Sequence, residues 1–248
     1  MIEIFREKTE EMARDRAVKM LNEMFARYSS SKLLFLSSGG SSFELVNGIQ
    51  AKHMGSNVTV GVTDERHSTD PAVNNFAQLM NTEFARRATE EGVQYIDTRV
   101  AGARLQEAAK LFESAIRNWK QEHAEGRVII TQGVGRNGHT CGMMPYPEDP
   151  QRFAELFESS EVWVRGYDAG DKNEFAERIT ITIPFLKEVV DCSVVYMVGK
   201  EKQDAFEALS YDWYDSGNKK TWWRTTPDSD NCIRYEYSDY YDNTDQAK

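Results

Sequence analysis

Along the chain the spacing of apolar residues switches repeatedly between the period of a helix and that of a buried strand. Over Glu7 to Tyr28, the residues Ala13, Ala17, Met20, Leu21, Met24 and Tyr28 recur every three or four positions, which predicts an amphipathic helix. Lys32 to Ser37 is a short apolar run, as expected of a strand covered on both faces. It ends in a polar, glycine-bearing loop before a second helix-like stretch through Ile49. Asn57 to Val62 reads as the next strand, residues 73 to 91 as helical, and Val93 to Ile96 as a brief strand. The clearest helical pattern is Gly102 to Glu122, where Leu105, Ala108, Ala109, Phe112, Ala115, Ile116 and Trp119 share one face. Further strands are predicted at Arg127 to Thr131, Val162 to Val164, Arg178 to Ile183 and Ser193 to Val198, with helices over Pro184 to Val190 and Glu201 to Leu209. Strands alternating with helices predict an α/β fold with a mostly parallel sheet covered on both faces. No linker or internal repeat interrupts the pattern.

The segment 211–248 differs in character from residues 1–210. It holds nine of the sixteen Trp and Tyr residues, among them Trp222, Trp223, Tyr235, Tyr237, Tyr240 and Tyr241. The alternation Ile233-Arg-Tyr-Glu-Tyr237 predicts an edge strand, and the rest reads as an aromatic flap packed on the same domain, with a partner-binding or lid role as the alternative.

Composition narrows the functional classes. A length of 248 residues with 40% hydrophobic and 28% charged residues is that of an ordinary globular protein. No apolar window is long enough for a membrane span, and the charged N-terminus lacks a signal sequence, so a cytoplasmic protein is expected. Three widely spaced cysteines, Cys141, Cys192 and Cys232, fit reduced thiols, and no histidine pair has zinc-ligand spacing. The net charge of −10 argues against nucleic acid or anionic lipid as partner but leaves room for a small anion in a local positive pocket.

In a parallel α/β sheet ligands sit at the carboxyl ends of the strands, and three strand ends here carry candidate chemistry. Ser38-Gly39-Gly40-Ser41-Ser42 can turn backbone N–H groups toward an anion at the start of a helix, although it lacks the spacing and lysine of a Walker A loop; a plain turn is the alternative. Thr63-Asp64-Glu65-Arg66-His67 offers two carboxylates and an arginine that can orient hydroxyls and polarise an oxygen, or a solvated charged loop. Gly133-Val-Gly135-Arg136-Asn137-Gly138-His139-Thr140 matches G-x-G-x-x-G after a strand. Pro145, Pro147 and Pro150 fall where a dinucleotide-binding loop would need its helix, so no nicotinamide or flavin is expected. What remains is a histidine delivered to the sheet edge as a candidate general base. Cys141 reads as a core-filling thiol.

These motifs, together with Arg178-Ile-Thr-Ile-Thr-Ile-Pro184 and Gly199-Lys-Glu-Lys202, occur in the order and approximate spacing of the 6-phosphogluconolactonases, relatives of the glucosamine-6-phosphate deaminases. Over about residues 1 to 210 the chain resembles that family. The resemblance implies a three-layer α/β sandwich, hydrolysis of 6-phosphogluconolactone in the pentose phosphate pathway without metal or other cofactor, and a monomer or homodimer. It implies a phosphate site at Ser38, Gly39, Gly40, Ser41, Ser42, Lys202 and Arg178, with His139 activating water, Arg66 steadying the oxyanion and Asp64 orienting substrate or histidine. Hydrolysis of a lactone needs those parts, because the transition state requires a deprotonated water, a stabilised oxyanion and an anchored ring.

The chain departs from the family at Asn137, at Phe43 and after Ser210, where little of the family's usual ending is found, and from the deaminase relatives at Met144. Where the deaminases carry a glutamate before a proline it has Met144, which disfavours deaminase or isomerase chemistry. Where the family has proline, it has Phe43. Asn137 stands two residues before His139 in place of an aspartate; asparagine can orient the ring but adds no charge, and losing a charged orienter can cost orders of magnitude in rate. A phosphosugar-binding homologue with weak or no turnover is therefore the alternative expectation.

Overall fold

The computed structural model of the protein describes residues 2–99, 102–206 and 232–238. In chain order these form β1 (Ile2–Glu7), α1 (Glu10–Arg27), β2 (Leu33–Ser37), α2 (Ser42–Asn47), β3 (Val58–Val62), β4 (Asp64–Arg66), α3 (Asn75–Met80), α4 (Glu83–Glu90), β5 (Gln94–Tyr95), α5 (Leu105–Glu122), β6 (Arg127–Gly133), α6 (Pro150–Phe157), β7 (Val164–Asp168), β8 (Glu177–Ile181), α7 (Ile183–Glu188), β9 (Cys192–Val198) and β10 (Cys232–Ser238).

Seven strands build one parallel sheet in the order β1-β10-β9-β6-β2-β3-β5. Alternate residues of each strand feed opposite faces, which is why the strands read as continuous apolar runs. On one face Leu33, Phe35, Val58, Val60, Val62, Ile129, Val194 and Tyr196 pack against the apolar stripe of α1 and against α2, α3 and α4. On the other, Leu34, Leu36, Val128 and Ile130 meet Ala108, Phe112, Ile116 and Trp119 of α5, the face that the sequence period predicts. Thr9, Asn74, Thr82 and Asp149 cap α1, α3, α4 and α6 by accepting from the N–H three residues on.

The three-layer α/β expectation holds, with four differences. A second, antiparallel sheet of order β4-β8-β7 lies beside the first, so the predicted strand at Arg178 to Ile183 belongs to it, and the strand placed at Val162 to Val164 runs instead over Val164–Asp168. The helical span 73–91 is two helices, because Thr82 caps a new one at Glu83. The N-terminal residues, for which no element is predicted, form β1, and β1 lies outside β10, so the predicted edge strand is an interior one. The Glu201 to Leu209 helix opens as a turn of 3₁₀ helix at Lys200–Lys202. The remainder of the aromatic tail and the expected boundary at residue 210 lie outside the described residues. Among those described, no helix is long and apolar enough to cross a membrane.

Candidate active site

Four neighbouring strands, β9, β6, β2 and β3, lead to all of the singled-out residues but Arg178 at the carboxyl edge of the parallel sheet. The loop after β2 carries Ser38 to Ser42, β4 continues from β3 with Asp64 and Arg66, the loop after β6 carries Asn137 and His139, and the turn after β9 carries Lys202. Arg178 arrives from the second sheet, where its backbone lies directly opposite Arg66.

The serine-glycine loop is braced from beneath. Ser38 N–H donates to Thr131 Oγ1 at 2.9 Å, and the Ser38 hydroxyl donates to Ser42 Oγ at 2.7 Å. Gly39 is pressed against the Asn75 side chain so closely that a Cβ there would lie 2.6 Å from Asn75 Oδ1. Ser41 opens α2 without a side-chain cap, leaving its hydroxyl uncommitted to the helix.

Asp64 and Arg178 form a buried ion pair, Arg178 Nη2 donating to Asp64 Oδ2 at 2.7 Å. Burial pushes the Asp64 carboxyl up, and the guanidinium groups of Arg178 and Arg66 pull against it. Arg178 Nη1 also donates to Asn173 Oδ1 at 3.2 Å. Arg66 Nη1 donates to the Val73 carbonyl at 3.1 Å, and the Phe175 ring lies 5.0 Å from its guanidinium carbon. The Nε atoms of both arginines are buried without a partner. Two arginines placed opposite each other in a sheet repel. Asp64, the Phe175 face and the fixed carbonyls offset that repulsion, and the result is a concentrated positive field that an anion would complete.

Glu65, on the other face of β4, acts on Arg66 by its charge but makes its hydrogen bonds elsewhere. Its buried carboxylate accepts from the N–H groups of Arg66 (2.7 Å), Asn75 (2.6 Å) and Phe76 (2.9 Å) and from the Thr98 hydroxyl (2.9 Å). It thus fastens the start of α3 to β4. Burial pushes its pKa up to about 7 against those four donors.

His139 is half-buried, and its ring lies over Gly135, where a Cβ would come within 2.1 Å of it. Asn137 Oδ1 lies 2.6 Å from His139 Nδ1 and also accepts from the His139 backbone N–H at 3.3 Å. A backbone N–H only donates, so the amide oxygen faces the histidine, Nδ1 carries the proton and Nε2 holds the lone pair. Burial, with Arg178, Lys202 and Arg66 nearby, pushes the pKa down to about 4, so the imidazole is neutral at pH 7. Lys202, half-buried, is pushed down by burial. The loop that carries His139 is held by Thr140 Oγ1 to Gln132 Oε1 (3.1 Å), Gly142 N–H to Thr180 Oγ1 (2.9 Å) and Tyr167 hydroxyl to Gly142 O (2.6 Å).

Cys141 is buried with its thiol pushed up by burial and by Asp64, as befits a packing residue. Met144 is fully buried in the core beside α5. Among the described residues no group of three or more His, Cys, Asp or Glu is arranged to hold a metal ion. Thr131 and Asn75 were missed from the sequence. Thr131 is a polar residue near the carboxyl end of an apolar strand, a readable signal; Asn75 follows Asn74, which takes the ordinary capping role and masks it.

Residues 6–221 match the sequence model of the family described as glucosamine-6-phosphate isomerases/6-phosphogluconolactonase, and the chain belongs to that family. No curated protein sequence matches it. Its fold is similar to that of a 6-phosphogluconolactonase from Trypanosoma brucei, with a TM-score of 0.73, 15% identity and 97% of each chain covered. It is also similar to a 6-phosphogluconolactonase from Thermotoga maritima (0.71, 18% identity, 96% of this chain and 100% of that one) and to one from Shewanella baltica (0.71, 14%, 96% and 98%).

Proposed function

We propose that the protein hydrolyses 6-phosphogluconolactone to 6-phosphogluconate, a cytoplasmic step of the pentose phosphate pathway, and that His139 is the base. The observation that carries this reading is a neutral imidazole whose Nδ1–H is held by Asn137, leaving the Nε2 lone pair free beside Arg66, Arg178 and Lys202. Nε2 takes a proton from water, the hydroxide attacks the lactone carbonyl, and Arg66 stabilises the oxyanion. The imidazolium then returns the proton to the departing ring oxygen. The phosphate lies on the amides of Gly39 to Ser42 with Lys202, the Ser38 amide being committed to Thr131, and its binding energy positions the ring. Arg178 keeps Asp64 oriented toward the ring hydroxyls and lends its charge to the anion site.

The test is hydrolysis of freshly generated δ-lactone followed by proton release. His139→Ala is expected to reduce kcat by 10²-fold or more, the share usual for a general base. An unchanged rate would overturn the assignment. Asn137 favours one other reading, a phosphosugar binder with weak turnover. Calorimetric binding of 6-phosphogluconate without a rate above spontaneous hydrolysis would select it. Ammonia release from glucosamine 6-phosphate would select a deaminase, which the burial of Met144 at the acid's position opposes.

A further inference from the structure

Lys202 shares its footing with a second cation. Val134, at the root of the loop after β6, packs in one cluster with Val195 and Met197 of β9 and with Ala205 and Phe206, just beyond the Lys202 turn. The cluster ties loop and turn together, so Arg136, two residues past Val134, and Lys202, three before Ala205, rise from a common base. Arg136 is exposed. Its neighbours in sequence are both committed to His139, Gly135 by making room for the ring and Asn137 by accepting from it, which places Arg136 on the rim of the same site. Among the described residues neither the Arg136 nor the Lys202 side chain is hydrogen-bonded or ion-paired. The Glu201 carboxylate, next to Lys202, is folded back over Gly199. The charge of Arg136 reaches Lys202 and helps push its ammonium down, with burial the larger cause and Glu201 and Glu10 opposing. Packing therefore holds two cations, neither of them hydrogen-bonded or ion-paired among the described residues, near each other in a chain whose net charge is −10. Like charges held together at a cost to the empty protein are what a dianion relieves.

We infer that Arg136 is a second cation of the phosphate subsite, closing on the phosphate ester opposite Lys202 and so selecting phosphorylated over unphosphorylated sugar acids. This rests on the phosphate reading given under the proposed function. A guanidinium suits the role, because its planar fork can hold two phosphate oxygens where an ammonium offers a point charge.

Calorimetric titration of the full chain with inorganic phosphate, 6-phosphogluconate and gluconate tests it, in the wild type and in Arg136→Ala, Arg136→Gln, Arg136→Lys and Lys202→Ala. The neutral Arg136 variants are expected to weaken both phosphate-bearing ligands by about tenfold, the effect of one lost charge-assisted contact, and to leave gluconate unaffected. Arg136→Lys is expected to restore much of the loss. In turnover the loss falls on KM, and KM becomes less sensitive to ionic strength. Wild-type phosphate affinity in both neutral variants, with Lys202→Ala weakened, would overturn the role of Arg136 while leaving the phosphate site in place. Wild-type affinity in Lys202→Ala as well would overturn the phosphate reading itself.

Discussion

Asn137→Asp is the substitution that most directly tests how the site works. The amide oxygen lies 2.6 Å from His139 Nδ1, so an aspartate in the same rotamer brings a carboxylate oxygen to that position without moving the ring. An opposite charge at this range raises an imidazole pKa by about 1 to 3 units, and the exposure of residue 137 sets the effect at the low end, about 1 to 2 units. The histidine would move from about 4 to about 5 or 6. Each unit is worth about 1.4 kcal/mol toward the imidazolium. If the proton has largely reached His139 in the transition state, kcat rises by about 10- to 100-fold. The assay is the pH profile of lactone hydrolysis from pH 4 to 8. In the wild type kcat/KM should hold nearly level down to pH 5 and halve near 4, where an unperturbed histidine would halve near 6.5. In the variant the acid limb should move up by 1 to 2 units while the plateau rises. A limb that shifts with an unchanged plateau would show that His139 is not protonated in the rate-limiting transition state. A wild-type limb that already halves near 6.5 would remove burial, and the positive field with it, as the influence on this residue.

Other consequences can be measured separately. Gly135→Ala places a Cβ 2.1 Å from the imidazole and should expel it, reducing kcat nearly as far as His139→Ala while the thermal midpoint changes little; full activity would mean that the ring works from another position. Glu65→Gln replaces a carboxylate accepting four hydrogen bonds and should cost about 2 to 3 kcal/mol in denaturant unfolding at pH 8, where the native carboxylate is ionised. The pH dependence carries a sign. Glu65, raised to about 7, makes stability fall as pH rises from about 4.5 to 7, whereas His139, lowered to about 4, makes it rise with pH between about 4 and 6.5. The two oppose each other, so Glu65→Gln should steepen the rise of stability between pH 4 and 6.5, as followed by urea midpoints. Iodoacetamide at pH 8 should leave the lactonase rate unchanged, because the Cys141 thiol is buried and held protonated; stoichiometric inactivation would identify a catalytic thiol.

Periodicity made the parallel layer legible, since each of its central strands is an apolar run and α5 repeats its core face over 18 residues. It could not make the second sheet legible. Asp64–Arg66 is a strand of three charged residues, with no apolar pattern to mark it. Its strand character comes from pairing with β8, a contact between residues more than a hundred positions apart. The position of β10 was hidden for the same reason: alternation identifies a strand, but what makes this one interior is pairing with β1, at the opposite end of the chain.

Within the site, residue types were readable and partnerships were not. Arg178 and Asp64 could each be singled out, but the sequence gives no sign that Arg178 is turned onto Asp64 and Asn173. That pairing changes how the positive charge is divided. With Arg178 paired to a carboxylate, the cations of the site that make no ion pair among the described residues are Arg66, Lys202 and Arg136, and they differ in burial. Arg66 is half-buried under Phe175, in the drier setting, where a fixed charge acts most strongly on a developing oxyanion. Arg136 is exposed, in the setting where a charge attracts and selects a dianion before chemistry begins. On the proposed function, depth below the surface separates the charge that serves the reaction from the charge that serves recognition. Arg66→Lys should therefore depress kcat, whereas Arg136→Gln should shift KM, and the opposite pattern would refute this division.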